Sequence, residues 1–600
     1  MANKLFHNSN IKNDVRRNGF DLSHTARLTA SAGELLPVFH RTITPGDNFK
    51  IRVSHFTRTK AVQTAAMTQI REYFDFFFVP YRLLWKNAPN VLAQVTENPV
   101  IATSISSNQT IGTQLPQFSS EWLYKGTAES ASPSPLLILA GKNNDFTIPR
   151  HLGALKLLSY LGFPNITQEY VENTLISGNN PNIQDGVPSY LPPVSALPLM
   201  AYNKIYYDFY RNTAWEDNQP YNYNADYISS DATLVFPNAD SSYWNFPTMF
   251  DLRYSNYPKD LFFGLLPESQ YGDESVVEVN SNDPFANELD LRDLDTGSKV
   301  VVGNSKDSLD NQFYIKSRTG KDMSTLDRLG FQLGQLKQNI SILDLRKAQF
   351  LQKYREIVGS GARDYQNIIK KIFGVDVPDS LADHCIYLGG NSSDINISEV
   401  VNTNLADDNQ ADIKGKGIGN GNSDMIEFTA QEHGIIMCIY HSQPVVDYQL
   451  TAWHFDLTKT EVDDFANPVF DKLGYQELPY YYFNTDFSKA NNAFIPQGHL
   501  GYTARYFDYK TSIDQVLGGW RSQELQTWIS PVKTDYILSY VNQNNGIFDI
   551  NASFFKVDPS ILDTIFAVNY NGTVEHDQLQ ISSTFEINAV RNLDYLGLPY

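Results

Sequence analysis

His384 beside Cys385, and His433, Cys438 and His441 along one apolar run, are residues whose types could do chemistry. An imidazole next to a thiol suits a nucleophile pair, and three such ligands suit a metal. Adjacent residues do not converge on a point, however, and residues alternating along a strand face opposite ways. Ordinary structural roles are expected for all five, with Cys385 and Cys438, the only cysteines, as buried free thiols. Asp463 and Asp464 offer the carboxylate pair of a glycosidase, and abundant Tyr, Trp and Asn would suit sugar, but 67 acidic residues produce such pairs by chance. Gly415, Gly417, Gly419 and Gly421 alternate around Lys414 and Lys416 without a G-x-G-x-x-G register. No buried strand precedes them, so a flexible surface loop is expected in place of a phosphate cradle. H-E-x-x-H, G-x-S-x-G and G-x-x-x-x-G-K-[ST] patterns are absent, and neither a cofactor nor a metal is expected.

The elements that would position any such group are mostly strands. Phe49, Ile51 and Val53 alternate with Lys50, Arg52 and Ser54, which places apolar groups on one sheet face and charges on the other. Tyr73 to Val79 ends at Pro80 and is aromatic enough to be buried on both faces. Gly434 to Tyr440, Gly546 to Val557 and Phe585 to Leu593 are further strand candidates bounded by turn residues. Two helices interrupt them. Ser341 with Asp344 forms a cap, and Leu343, Phe350, Tyr354 and Ile357 share one face before Gly359. Tyr365, Ile368, Ile369 and Ile372 repeat the pattern up to Gly374, which predicts a packed helix pair.

The stretch 96–335 reads differently. Segments such as Pro133-Ser-Pro135 and Ser177-Gly-Asn-Asn-Pro181 indicate loops and short elements. Eleven carboxylates between Glu268 and Asp310, against Arg292, Lys299 and Lys306, indicate a hydrated, exposed excursion. Aromatic runs at Tyr202 to Tyr210 and Tyr243 to Phe246 indicate parts that pack against something. The expected organisation is therefore 1–95 as an N-terminal arm and first strands, 96–335 as surface-exposed insertions, and 336–600 as the helix pair and remaining strands. The first and last segments form one discontinuous domain. The fold class is all-β, a sandwich or jelly roll with large loop-rich insertions and a few helices.

Composition bounds the function. The chain has 600 residues, with 13% aromatics and only 19% charged residues, so wholesale disorder is excluded and uncharged polar groups build much of the surface. No apolar run approaches membrane-spanning length, and the N-terminus lacks the apolar core of a secretory signal. The net charge of −20 is unevenly sorted. Residues 1–60 hold ten basic against four acidic side chains, a surplus of six, which leaves −26 on the remainder. A basic arm on an acidic body suits contact with a polyanion at one end.

Several segments in order resemble the major capsid proteins of the microviruses, most closely those of the gokushovirus branch. The likeness rests on Phe20-Asp-Leu-Ser-His24, Leu36-Pro-Val-Phe39 and Phe74-Asp-Phe-Phe-Phe-Val-Pro-Tyr-Arg-Leu-Leu-Trp85 near the N-terminus. In the second half it rests on Leu343-Asp-Leu-Arg-Lys-Ala348, Lys371-Ile-Phe-Gly-Val375, Tyr387-Leu-Gly-Gly390, Glu432-His-Gly-Ile-Ile-Met437, Phe465-Ala-Asn-Pro-Val-Phe470 and Tyr506-Phe-Asp-Tyr-Lys510. The resemblance implies an eight-stranded viral jelly roll, self-assembly into a T=1 icosahedral capsid in the virion, and no catalysis. It implies a circular single-stranded DNA genome, minor or pilot, scaffolding and DNA-packaging viral proteins, and a host cell-surface receptor as partners. It also implies a threefold protrusion built by an insertion, for which 96–335 is the candidate. With that role, Lys4, Lys12, Arg16 and Arg17 are expected to face the genome. The alternative is a β-rich protein that binds or hydrolyses polysaccharide, and a third reading is a capsid protein of another jelly-roll virus lineage.

Overall fold

The structure, a computed structural model, describes residues 17–62, 66–93, 114–119, 149–163, 193–228, 248–272, 342–360, 365–376, 383–401, 413–448, 453–483, 499–521, 528–532, 550–570 and 577–595. The strand segments 290–293, 300–304, 313–317, 329–332 and 573–574 and a few single positions complete this set. The chain divides into two compact units, Met1–Ser269 with Ala362–Tyr600, and Gln270–Gly361.

The larger unit is built on one antiparallel sheet of ten strands. In chain order these are β1 (Asn18–Asp21), β2 (His24–Ala30), β3 (Leu36–Ile43), β4 (Asn48–Thr59), β5 (Ile70–Pro80), β6 (Ile386–Val401), β7 (Ile413–Asn422), β8 (Ile426–Thr429), β9 (Gly434–Pro444) and β10 (Leu579–Arg591). Eight lie on one path, β1-β10-β4-β7-β6-β5-β9-β3, while β2 pairs with β10 and β8 with β4. The path curls on itself. Phe39 of β3, at one end, stacks at 5.6 Å on Phe585 of β10, next to the other end, and Phe76 of β5 meets Phe585 edge-on at 6.3 Å.

The period-two pattern read from the sequence drives this curl. Phe49, Ile51 and Val53 are fully buried, whereas Lys50 is exposed and Arg52 and Ser54 half-buried. Phe74, Phe76 and Phe78 fill the interior, and Phe77 points to the other face, against Phe209 at 4.8 Å and Tyr387 at 5.4 Å. That outer face is covered by helix α2 (Leu197–Ile205) and the π-helical turn Tyr206–Tyr210, preceded in the chain by helix α1 (Arg150–Tyr160). Tyr202, Tyr206 and Tyr207 are buried, as their aromatic clustering indicates, while Tyr243 to Phe246 lie outside the described residues. The last strand runs Leu579–Arg591, so the segment predicted at Phe585 to Leu593 is correct in kind and starts earlier. At 550–557 no strand forms. A 3-10 turn, Ala552–Phe555, capped by Asn551, buries Phe554 and Phe555 instead.

The alternating glycines are not a surface loop. They belong to β7, between β4 and β6, with Gly417 and Gly419 buried. A Cβ on Gly419 would stand 2.5 Å from Glu72 Oε1 and 3.1 Å from Ile395, and one on Gly421 would overlap the His55 ring. The space left by the missing side chains holds a polar group inside the sheet. Glu72 accepts from Thr57 Oγ1 (2.6 Å), Ser393 Oγ (3.1 Å) and Tyr440 OH (3.2 Å), and lies 3.0 Å from His55 Nε2. Gly419→Val is expected to lower unfolding free energy by about 1–3 kcal/mol through overpacking. Asn420→Val, on the exposed face of the same strand, should stay within about 0.5 kcal/mol in the same urea titration.

Helix α3 (Ile342–Gly359) and helix α4 (Tyr365–Phe373) form as the spacing predicts, and the capping Ser341 lies outside the described residues. Gly374, at φ 69°, ends α4. The two helices fall in different compact units. Leu343, Phe350 and Tyr354 on α3 are exposed, as are Tyr365, Ile372 and Phe373 on α4. In the smaller unit, α3 is accompanied by two antiparallel pairs, Asp290–Asp293 with Leu329–Gln332 and Val300–Asn304 with Phe313–Ser317. The side chains of the acidic stretch between Asp273 and Asp310 lie outside the described residues.

Candidate nucleic-acid interface

On the face of the sheet turned away from the interior, strand register assembles a basic and aromatic cleft. Arg27 of β2 lies across from Ser582 of β10, which lies across from Phe56 of β4. One row on, Thr29, Gln580, Arg58 and Ile418 of β7 stand side by side. Arg27, Phe56 and Arg58 are exposed, and the Arg58 guanidinium sits 5.0 Å from the Phe56 ring centre. Helix α1 supplies the wall. Tyr160 OH donates to Thr29 O (2.5 Å) and accepts from Thr29 N (3.0 Å), which closes the outer backbone of β2 at that point. The cleft encloses about 760 Å³.

Its charges are paired differently along the face. Further along the same face Lys50 pairs with Glu427 at 2.6 Å and Arg52 with Glu586 at 4.0 Å. Arg27 and Arg58 have no carboxylate partner among the described residues, and the exposed Lys416 follows on β7. Two guanidinium groups beside an exposed phenyl ring can hold a phosphate or other anion while a planar ring stacks on Phe56.

Of the four predicted arm residues, Lys4, Lys12 and Arg16 lie outside the described residues. Arg17 is exposed at the start of β1, where its Nε donates to Asn592 Oδ1 at 3.1 Å. It stands at the Arg591 end of β10, about 36 Å along the strand from Gln580 at roughly 3.3 Å per residue, so the structure does not bring it to the cleft. Charge counting found Arg27 and Arg58 only as members of the basic first sixty residues. Their meeting with Phe56 and Tyr160 depends on register between strands over 500 residues apart, which no local pattern carries.

The other chemistry-bearing residues are spent structurally. The Cys385 thiol donates to Asp208 at 3.0 Å, and burial, reinforced by that carboxylate, pushes it well above the ordinary thiol range, so it is no thiolate. Lys204 Nζ holds the same Asp208 at 2.8 Å. Cys438 is buried and free in β9, its thiol likewise pushed up by burial. His441 is stacked on Tyr73 at 4.7 Å, and burial lowers it to about 3, which keeps it neutral. Among the described residues no cluster of His, Cys, Asp and Glu could hold a metal. Asp464 accepts from the backbone N–H groups of Thr460 and Glu461 at 2.8 Å each, and these hold its carboxyl below the usual range. It is a cap on an exposed turn, unlike the raised acid a glycosidase needs. No helix among the described residues is long and apolar enough to cross a membrane.

Comparison with known proteins agrees with the likeness of the sequence segments. The chain is 23% identical over 570 residues to capsid protein VP1 of Chlamydia phage 1, covering 86% of each chain. It is 22% identical over 545 residues to capsid protein VP1 of Bdellovibrio phage phiMH2K, covering 85% of this chain and 84% of the relative. To capsid protein VP1 of Spiroplasma virus 4 it is 20% identical over 414 residues, covering 65% and 62%. The family model described as capsid protein (F protein) matches residues 9–118 and 184–599, both flanks of the sheet and most of what lies between. A match over so much of the chain makes it a member of the F-type capsid protein family of the microviruses.

Proposed function

We propose that this capsid protein closes, in copies of itself, into a T=1 icosahedral shell around a circular single-stranded DNA genome and presents the surface that meets the bacterial host. The family match over both flanks carries this reading. The path of eight antiparallel strands supports an eight-stranded jelly roll as the shell wall, and the segment 96–335 supplies insertions and is the candidate for a protrusion. Assembly takes place in the host cytoplasm with minor or pilot, scaffolding and DNA-packaging proteins as partners, and a cell-surface receptor is met on entry. Lys4, Lys12, Arg16 and Arg17 hold the genome from the arm, and Arg27, Arg58 and Phe56 hold it from the wall. Few cations on an acidic chain bind phosphates weakly and without sequence preference, as a genome that must leave again requires.

Electron microscopy with DNA quantification tests this. The wild-type chain should give uniform icosahedral particles, whereas a glycan-active protein would stay monomeric and bind or cleave sugar. Neutralising the four arm residues to Gln, or Arg27 and Arg58 to Gln, should lower DNA per particle while empty shells persist. For Arg27→Gln/Arg58→Gln, the log–log salt slope of single-strand binding should fall by about 0.7 per phosphate contact removed. Loss of shells with DNA binding unchanged would move these residues from genome contact to assembly.

A further inference from the structure

Within the larger unit, the cleft on the outer face of the sheet holds side chains that the fold itself leaves unused. Phe56 is 39% exposed, a phenyl ring open to water on a strand whose inward neighbours His55 and Thr57 are buried. Arg27 and Gln580 are exposed, and neither side chain has a hydrogen-bond or ion-pair partner among the described residues. Gln580 stands directly across from Arg58, the residue whose guanidinium lies beside the Phe56 ring. A free cation, an open ring and a free carboxamide are thus gathered in one enclosure. Its volume of about 760 Å³ falls in the roughly 300–1,000 Å³ range of sites that hold a small molecule.

The boundaries of the enclosure set what can enter. At the β2 edge, Tyr160 of α1 holds both backbone atoms of Thr29 and shuts that side. Along the strands, the Arg52 and Glu586 pair lies two rows beyond Phe56, where its carboxylate turns phosphates away. Toward β7 the floor continues through the exposed Ile418 and Asn420, so a chain enters from there and stops at α1. Arg27 and Phe56 are two strands apart, about 10 Å between backbones. The length of the arginine covers part of that gap, and the sugar that joins a base to its phosphate covers the rest. A base inside a duplex has both faces stacked on its neighbours and cannot offer one to a ring on a walled floor. An unpaired base can.

We infer that the cleft seats one unpaired nucleotide, with its base stacked on Phe56, its phosphate on Arg27 and Tyr160 closing the seat behind it. Gln580 meets the edge of the base with a donor and an acceptor. This seat rests on the reading of a shell around single-stranded DNA, and adds to it a contact of a different kind. Phosphate contacts weaken as salt rises, whereas stacking on a phenyl ring is tolerant of sequence and carries no counterion.

The test is fluorescence anisotropy of the purified full chain with a short single-stranded oligonucleotide, an abasic strand of equal length and a duplex of equal length, across a salt series. Phe56→Leu should weaken binding of the single strand about tenfold and leave the other two probes and the salt slope unchanged. Phe56→Tyr keeps a ring and should bind all three as the wild type does. The position is exposed, so circular dichroism and melting temperature should be those of the wild type in both variants. A loss shared by all three probes, or no loss on any, overturns the base seat, and salt-dependent binding that persists leaves the genome reading standing. A wild type that binds none of the probes at any salt overturns the seat and the genome contact together.

Discussion

Replacing Lys156 with alanine is expected to destabilise the larger unit by about 3 kcal/mol, the lower end of the range for removing one partner of a buried ion pair. Lys156 Nζ lies 2.5 Å from both Glu34 Oε2 and Asp577 Oδ1, joining α1, the turn between β2 and β3, and the approach to β10. Glu34 also takes the Ser31 N–H at 2.8 Å, and Asp577 accepts from Thr29 Oγ1 at 2.6 Å. Burial lifts the Glu34 carboxyl above its usual range. Burial also works to lift Asp577, but the Lys156 charge and hydrogen bonds from Lys156, Thr29 and Ser31 outweigh it and leave that carboxyl low. Asp577 is about a third exposed, which softens the loss.

The pH dependence of the variant has a definite sign. Without the ammonium, Glu34 rises further, so the folded state takes up a proton at a pH where the unfolded chain, near about 4.3, has not. The deficit of Lys156→Ala should therefore be largest near neutrality and shrink toward pH 5. In the wild type, the Asp577 contribution is present above its unfolded value near about 3.9 and is lost only as pH falls through its lower folded value. Urea unfolding of both chains at pH 5 and 7.5 checks the sign. A deficit that grows on acidification would refute the assignment.

Phe76→Ala is expected to cost about 3–5 kcal/mol, the range for emptying a fully buried aromatic site. The position matters as much as the area, because Phe76 reaches across the interior to Phe585 and helps hold the curl shut. Phe465→Ala, in the exposed run 461–473, should change the unfolding free energy of the isolated chain by less than about 0.5 kcal/mol. The contrast between the two, measured in one denaturant series, separates aromatic residues that hold the fold from those turned outward.

That separation marks how far the sequence could be read. Alternation at Phe49, Ile51 and Val53, and the double-sided aromatic run ending at Pro80, located β4 and β5, because burial on one or both faces leaves its period in the chain. The glycines of β7 misled for a physical reason. Glycine disfavours strands, and what demands it here is the volume of Glu72, His55 and Thr59 on other strands. The helices were visible in their 3.6-residue period, yet the period reports an apolar face without saying what covers it. Phe554 and Phe555 read as strand because aromatic residues bounded by turns look alike in a sheet and in a buried 3-10 turn. The cleft was legible only as charge, since its geometry comes from pairing Arg27 and Arg58 to a strand at the other end of the chain.

That last pairing bears on the order of events during synthesis. Strand β4 is joined along its length by β10, so the sheet lacks an inner strand until the ribosome has passed Arg591. At about 5–20 residues per second, the interval between the two strands is roughly 30–100 s. Through that time the edges of β1, β2 and β4 have no native partner strand in β10, and they gain one almost together when β10 emerges. Contacts so distant in sequence form late and slowly. The ten-stranded sheet therefore becomes complete in each copy only once β10 has been made, long after β4.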